Sequence, residues 1–319
     1  MSKPLLEYIR ENIVDGRLPK DFSLPIADDG SGIPFADGAQ DGISIYHMQP
    51  VEMDEAGVAL MADALGAAAA GDFEAADEKF AKLGETYRAV SVIDAFQNYI
   101  IEHEDALPPR EIYKAAFYLL IHSENRESVK YGLSMLEFFE APGDNAKKAI
   151  RDIGLSDEFT IFAVWNMLRW LNGNDEIFDL IRKVRGWGRI HALERLEPAS
   201  REIREWMLME GVDNDVMPAY SAMTVWNKAN VAGRLKGELT EEEFQAVSRI
   251  IYGLFDEGPV RGISAIEDVD KRMADYLKQF TKHEPLPDAY DTVQALHGWA
   301  ESVESPEIIA MCEEIMQSA

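Results

Sequence analysis

The clearest pattern along the chain is an apolar period of 3.6 residues. In NDEIFDLIRKV, Ile177, Leu180, Ile181 and Val184 recur at i, i+3, i+4 and i+7, which puts all four on one helical face. Asn174 reads as the N-cap of this helix. Asp175 and Glu176 sit at the positive end of its dipole, and Arg182 and Lys183 at the negative end. The preceding stretch, FTIFAVWNMLRWL at 159–171, is apolar nearly all round, so other helices must cover it on most sides. Trp187 to Leu196 is a short helix stopped by Pro198, and REIREWMLME runs from Ser200 to Gly211. After the turn residues Asp213, Asn214 and Asp215, a further helix carries Ala219, Ala222, Met223 and Trp226.

The same period continues to both sides. Residues 3–14 read as a first helix, and GVALMADALGAAAA and GDFEAADEKFAKLGE as an alanine-rich pair about Gly71. The second of these is similar to half of a tetratricopeptide repeat in the spacing of Phe73, Ala76 and Phe80. Helices are predicted over 85–104, 110–122, 126–140, 264–281, 288–303 and 307–317. Thr240 and Glu243 form a capping box ahead of Phe244, Val247, Ile250, Ile251 and Leu254, and Ser305-Pro306 opens the last helix. The total is roughly fifteen helices.

Asp15 to Pro50 breaks the pattern, interleaving Gly16, Gly30, Gly32, Gly38 and Gly42 with Pro19, Pro25 and Pro34. Two alternating pieces within it, FSLPI and ISIYHM, are of the kind that pairs as a small hairpin. So long a loop reads either as an arm draped on the first helices or as a lid over a binding face. Asp28 and Asp29 do not make a calcium loop, since Gln40 stands where Asp29 would need its glutamate.

Three stretches of the centre align: AIRDIGLSDEFTIFAVWNMLRWL (149–171), LIRKVRGWGRIHALERL (180–196) and MLMEGVDNDVMPAYSAMTVWN (207–227). Each is a helix end, a tight turn and a second helix with a small residue in its first half, namely Ala163, Ala192, and Ala219 or Ala222. Here the chain resembles the HEAT and armadillo α-helical repeat proteins. The resemblance implies an all-α fold, an α-α superhelix of stacked helical hairpins with an extended concave binding face, and no shared active site to carry over. It divides the chain into an N-terminal helix and irregular arm (1–53) and a repeat domain (54–319) whose HEAT-like core spans about 109–255.

Composition narrows the function. Hydrophobic residues make up 47% of the 319, as in a folded chain. A single cysteine, Cys312, excludes an internal disulfide framework and a cysteine-ligated zinc site, and it fits a reducing compartment. MSKPLLEYIREN has no apolar core of a secretory signal, and apolar runs such as AAFYLLI at 115–121 are too short to span a bilayer, so a cytoplasmic location is expected. A net charge of −27 opposes binding to nucleic acid or anionic membrane. Residues 1–100 hold 7 basic against 18 acidic side chains, whereas 182–204 is an island of +4 that is rich in arginine.

No phosphate loop, dinucleotide fingerprint, zinc-protease motif or serine-hydrolase elbow occurs, and His47, His103, His122, His191, His283 and His297 are scattered, so no cofactor or metal is predicted. In GWGRIHALERL, Trp187, Ile190, Leu193 and Leu196 point to the core, while Arg189, His191, Glu194 and Arg195 lie largely off that face. Two readings stay open: an intrahelical ion pair within a polar ladder, or a groove rimmed by arginine and floored by tryptophan that suits an acidic or phosphorylated peptide. The candidate partner-binding residues are Arg185, Arg189, His191 and Arg195, with Trp170 and Trp226; Trp165, Trp187 and Trp206 are assigned to the core. The function expected is a non-enzymatic scaffold for a protein or peptide partner. The alternatives are a helical enzyme with its site under the 15–50 loop and, third, a HEAT-like nucleic-acid binder, against which the charge weighs.

Overall fold

The computed structural model describes residues 3–25, 35–49, 51–283 and 287–318. They form eighteen α-helices joined by turns and short 3-10 segments, and no strand occurs among the described residues. The chain resolves into two compact units, Met1–Arg195 and Leu196–Ala319. No helix is long and apolar enough to cross a membrane.

The first unit holds α1 (Leu5–Asn12), α2 (Ala39–His47), α3 (Glu55–Ala70), α4 (Phe73–Gly84), α5 (Ile93–Glu102), α6 (Pro109–His122), α7 (Arg126–Leu136), α8 (Asp144–Ile153), α9 (Thr160–Leu168), α10 (Gly173–Ile181) and α11 (Gly186–Arg195). Local chemistry sets many of these ends. The Asp54 and Asp72 carboxylates accept from the amides of Gly57 and Ala75 and so cap α3 and α4, and Gly71 ends α3 in the left-handed region at φ 80°. Helices adjacent in sequence bury one another: α3 packs on α4, α6 on α7, and α9 on both α10 and α11. Phe80, Phe96 and Tyr131 meet in the core with ring centroids 5.0–6.0 Å apart, and the Tyr131 hydroxyl donates to the Tyr87 carbonyl at 2.7 Å.

α1 and α2 do not follow that local rule. α1 packs on α6 and α8, and Arg10 pairs with Asp152 at 2.8 Å. Among the described residues the hairpin expected from FSLPI and ISIYHM does not form: Ile43 to His47 lie in α2, and Phe22 to Pro25 are irregular. The alternation of ISIYHM matches a strand, but the contacts of α2 run at helical spacing, with Gly42 and Tyr46, one turn apart, both against Trp187. Asp28 and Asp29 lie outside the described residues.

Two predicted boundaries also shift. α10 starts at Gly173 after Asn172, so Asn174 sits inside the first turn rather than capping it. The helix expected over 85–104 begins only at Ile93, because Ala89–Ser91 is a 3-10 turn whose Ala89 amide donates to Glu127 at 2.7 Å.

The second unit holds α12 (Arg201–Glu210), α13 (Ala219–Lys228), α14 (Val231–Arg234), α15 (Glu241–Gly253), α16 (Val269–Leu277), α17 (Pro287–Ser302) and α18 (Pro306–Ser318). Ser200 caps α12, and Thr240 and Glu243 form the capping box of α15 as the sequence predicts. Around α15, Phe244 packs against Tyr276 and Phe280, and the Thr292 hydroxyl donates to the Ser248 carbonyl at 3.0 Å. Cys312 on α18 is buried, which pushes its thiol up to about 12 and leaves it inert as a nucleophile near neutral pH.

Candidate functional site

Within the first unit, α2 is held on two sides and leaves a third side open. The first hold is electrostatic. The Lys130 ammonium, fully buried on α7, lies 2.7 Å from Asp41, 3.0 Å from Glu127 and 2.6 Å from Glu158. Arg88 adds a 2.6 Å pair to Asp41 and a 2.7 Å hydrogen bond to Gln40, and Arg126 bridges Asp37 at 3.1 Å and Glu158 at 3.2 Å. Four carboxylates thus surround three cations. At the N-terminus of α2, the Gly38 amide donates to Glu158 at 2.9 Å. Gly38 is required there: its φ is 75°, and a Cβ would come within 2.6 Å of the Asp157 carbonyl oxygen.

Burial opposes the Lys130 charge, but Asp41, Glu127 and Glu158 outweigh it and raise its pKa, so the amine stays protonated. Burial likewise opposes the Glu158 charge, and Lys130, Arg126 and the Gly38 amide overcome it, holding that carboxyl below its usual range. For Asp41 burial is the larger effect and pushes the carboxyl up against the pull of Lys130 and Arg88. Lys130 fills the point where three carboxylates converge.

The second hold on α2 is aromatic. Tyr46 stacks over Trp187 and His191 with centroids 5.9 Å and 6.0 Å away, and its hydroxyl donates to Glu194. Gly42 lies so close to the Trp187 ring that a Cβ would overlap it. Gly42→Ala should therefore lower stability by about 1–3 kcal/mol through overpacking. A urea midpoint equal to that of the wild type would contradict this contact.

The open side of α2 faces a groove of about 1,090 Å³. Ser44 and Ile45 line it from α2, Met48, Val51 and Met53 from the following segment, Val58 and Met61 from α3, and Ile93, Asn98 and Tyr99 from α5. Ile45, Val51, Val58 and Met48 are 37–56% exposed although apolar, and they lie together. These clustered exposed apolar side chains make the groove the candidate binding surface of the first unit. Among the described residues the acidic side chains of the lining are Glu52, Asp94 and Glu102, with His103 beside them.

The residues selected from sequence lie elsewhere. In the first unit, Trp170 is buried beneath Lys147 and Arg151, whose charges lie 5.0 and 5.4 Å from its ring. His191 is 1% exposed because α2 covers it, although its helical phase alone puts it off the core. Burial and the neighbouring Arg195 hold its pKa down to about 3, so it is neutral and adds nothing to a cationic surface. Arg185 is exposed, and Arg189 and Arg195 are half-buried; Arg195 pairs with Glu194 at 2.8 Å and lies over Trp165. Arg182 and Lys183, from the same island, both pair with Asp179. Trp226 is buried in the second unit. Trp187 and Trp206 are core as expected, whereas Trp165 is only half-buried, less so than Trp170 or Trp226.

Both the ion cluster and the groove escape a reading confined to one helix at a time. Asp41 and Glu158 become partners of Lys130 only once α2 docks. One local signal was present: Met48, Val51, Met53 and Val58 are apolar residues beside a glycine-rich loop. The protein is thus an all-α chain with an apolar groove walled by helices. Comparison with protein-family models, with curated proteins and with solved structures finds no match.

Proposed function

We propose that the chain is a non-enzymatic binding protein, its helical hairpins arranged as HEAT- or armadillo-like repeats, that takes a segment of a protein partner in the groove between α2, α3 and α5. A cytoplasmic setting goes with that reading. The observation carrying it is the collection of exposed apolar side chains, Ile45, Met48, Val51 and Val58, along one open cleft. Methionine supports the same use, since Met48 and Met53 are unbranched and can repack around differently shaped ligands. The candidate surface therefore moves from Arg185 and the arginines of α11 to the groove.

The enzyme alternative would use the ionisable cluster beneath α2. Lys130 is held protonated there and lacks the free lone pair that a base or nucleophile needs. Its carboxylate neighbours are committed to Lys130, Arg88 and Arg126.

Selection of a random peptide library on the purified chain tests the reading. Enriched peptides, synthesised and measured by fluorescence anisotropy, should lose at least about tenfold in affinity on Val58→Glu and on Ile45→Glu, with unchanged helical circular dichroism. No enrichment, or enriched peptides indifferent to both substitutions, removes the groove from consideration.

A further inference from the structure

The chemistry of the groove goes further and names the kind of partner. We infer that its occupant is an amphipathic α-helix of about three turns, with lysine or arginine flanking an apolar stripe. This rests on the binding reading above and adds the partner's conformation and charge.

The charge argument comes from the rim. Glu52, Asp94 and Glu102 line the groove with His103 as its other titratable side chain; among the described residues no lysine or arginine lines it, and none of the three acids is ion-paired. Glu52, Asp94 and Glu102 are solvent-exposed. Glu52 and Asp94 lie within residues 1–100, where 18 acidic side chains face 7 basic ones, and Glu102 follows directly after. Arg88 is close in sequence but is turned to Asp41 and Gln40 beneath α2. An apolar floor inside an uncompensated acidic edge selects a ligand with an apolar centre and cationic flanks. The same edge repels nucleic acid, anionic lipid surfaces and acidic peptides.

The conformational argument comes from the walls. No strand occurs among the described residues, so an extended peptide finds no sheet edge to extend. The apolar contacts come from helices instead: Ile45 on α2 with Met48 just past its end, and Val58 and Met61, three residues apart, on α3. α5 is 10 residues long, or about 15 Å at a rise of 1.5 Å per residue, which matches a partner helix of about three turns. A helix laid in such a groove satisfies its own backbone, so only side chains need partners.

The test uses the full chain and three labelled 14-residue peptides. The first has leucines at i, i+3, i+4 and i+7 with lysine on the polar face. The second replaces each lysine with glutamate, and the third keeps the lysines but carries a central proline. Fluorescence anisotropy should give the lysine peptide about a tenfold or greater advantage over each of the others. Raising salt from about 50 to 300 mM should narrow only the gap between lysine and glutamate. The triple variant Glu52→Lys, Asp94→Lys, Glu102→Lys should reverse that preference.

A control separates docking from attraction to an acidic protein: Val58→Glu adds negative charge yet blocks the floor, so it should weaken the lysine peptide. Tighter binding to Val58→Glu would reduce the interaction to bulk charge and overturn the inference. Equal binding of lysine and glutamate peptides, equal binding of the proline peptide, or no binding of any of the three would overturn it as well. Library-selected peptides that remain sensitive to Val58→Glu would in those cases leave the groove standing as a binding site with a different ligand.

Discussion

Replacing Lys130 with methionine is expected to destabilise the chain by about 3–5 kcal/mol, the cost of leaving buried charges uncompensated. Methionine matches the lysine stem in length, so the loss is electrostatic rather than a cavity. Asp41, Glu127 and Glu158 now meet within 3.0 Å of one ammonium, and without it only Arg88 and Arg126 face them and Asp37. Asp41, already pushed up by burial, should take a proton first and soften the effect. Lys130→Met with Asp41→Asn and Glu158→Gln should recover part of the stability, because the charges left behind are then removed too. Urea midpoints of the single and triple variants measure this. A midpoint for Lys130→Met within experimental error of the wild type would mean that the cluster does not hold α2. Since α2 forms one wall of the groove, the same variant should also lose peptide affinity.

The second large effect is a pH dependence centred on His191. Its folded pKa of about 3 lies below the ordinary value of 6.5, because burial and the nearby Arg195 disfavour the imidazolium. The unfolded chain therefore binds a proton at His191 that the folded chain refuses. The stability this residue contributes is complete above 6.5 and is lost as pH falls from 6.5 toward 3, at about 1.4 kcal/mol per unit. Between pH 6.5 and 5, where most carboxylates do not yet titrate, wild type should lose about 2 kcal/mol that His191→Phe retains. Phenylalanine keeps the stack with Tyr46 and Trp187, so the variant should fold. Glu158 acts in the same direction at lower pH: its depressed pKa gives stability present above the ordinary carboxylate range and lost below it. Parallel slopes for wild type and His191→Phe between pH 6.5 and 5 would assign the dependence to other groups.

His191 and Lys130 also mark the limit of what a helix-by-helix reading can see. GWGRIHALERL correctly turned Trp187, Ile190, Leu193 and Leu196 inward, because a single helix has only one inner face in that reading. The same logic places His191 outside, yet it is buried because α2 covers a second face of α11. Lys130 carries no local sign of burial either: in RESVKYGLSML it is one charge among polar residues of an ordinary amphipathic helix. Its burial follows from carboxylates on α2 and ahead of α9. The tryptophans err in the same way, with Trp170 under two cationic side chains and Trp165 half open.

What the sequence determined by itself is the helical class and many of the helices. Apolar spacing at i, i+3 and i+4, aspartate, serine and threonine caps, and the Gly71 stop are interactions between residues a few positions apart, and these survive from isolated segment to folded chain. The state of 39–47, the burial of Lys130 and His191, and the groove were decided only by tertiary contact. Each depends on groups far apart in the chain whose attraction grows once water is excluded between them, and no local pattern encodes that exclusion.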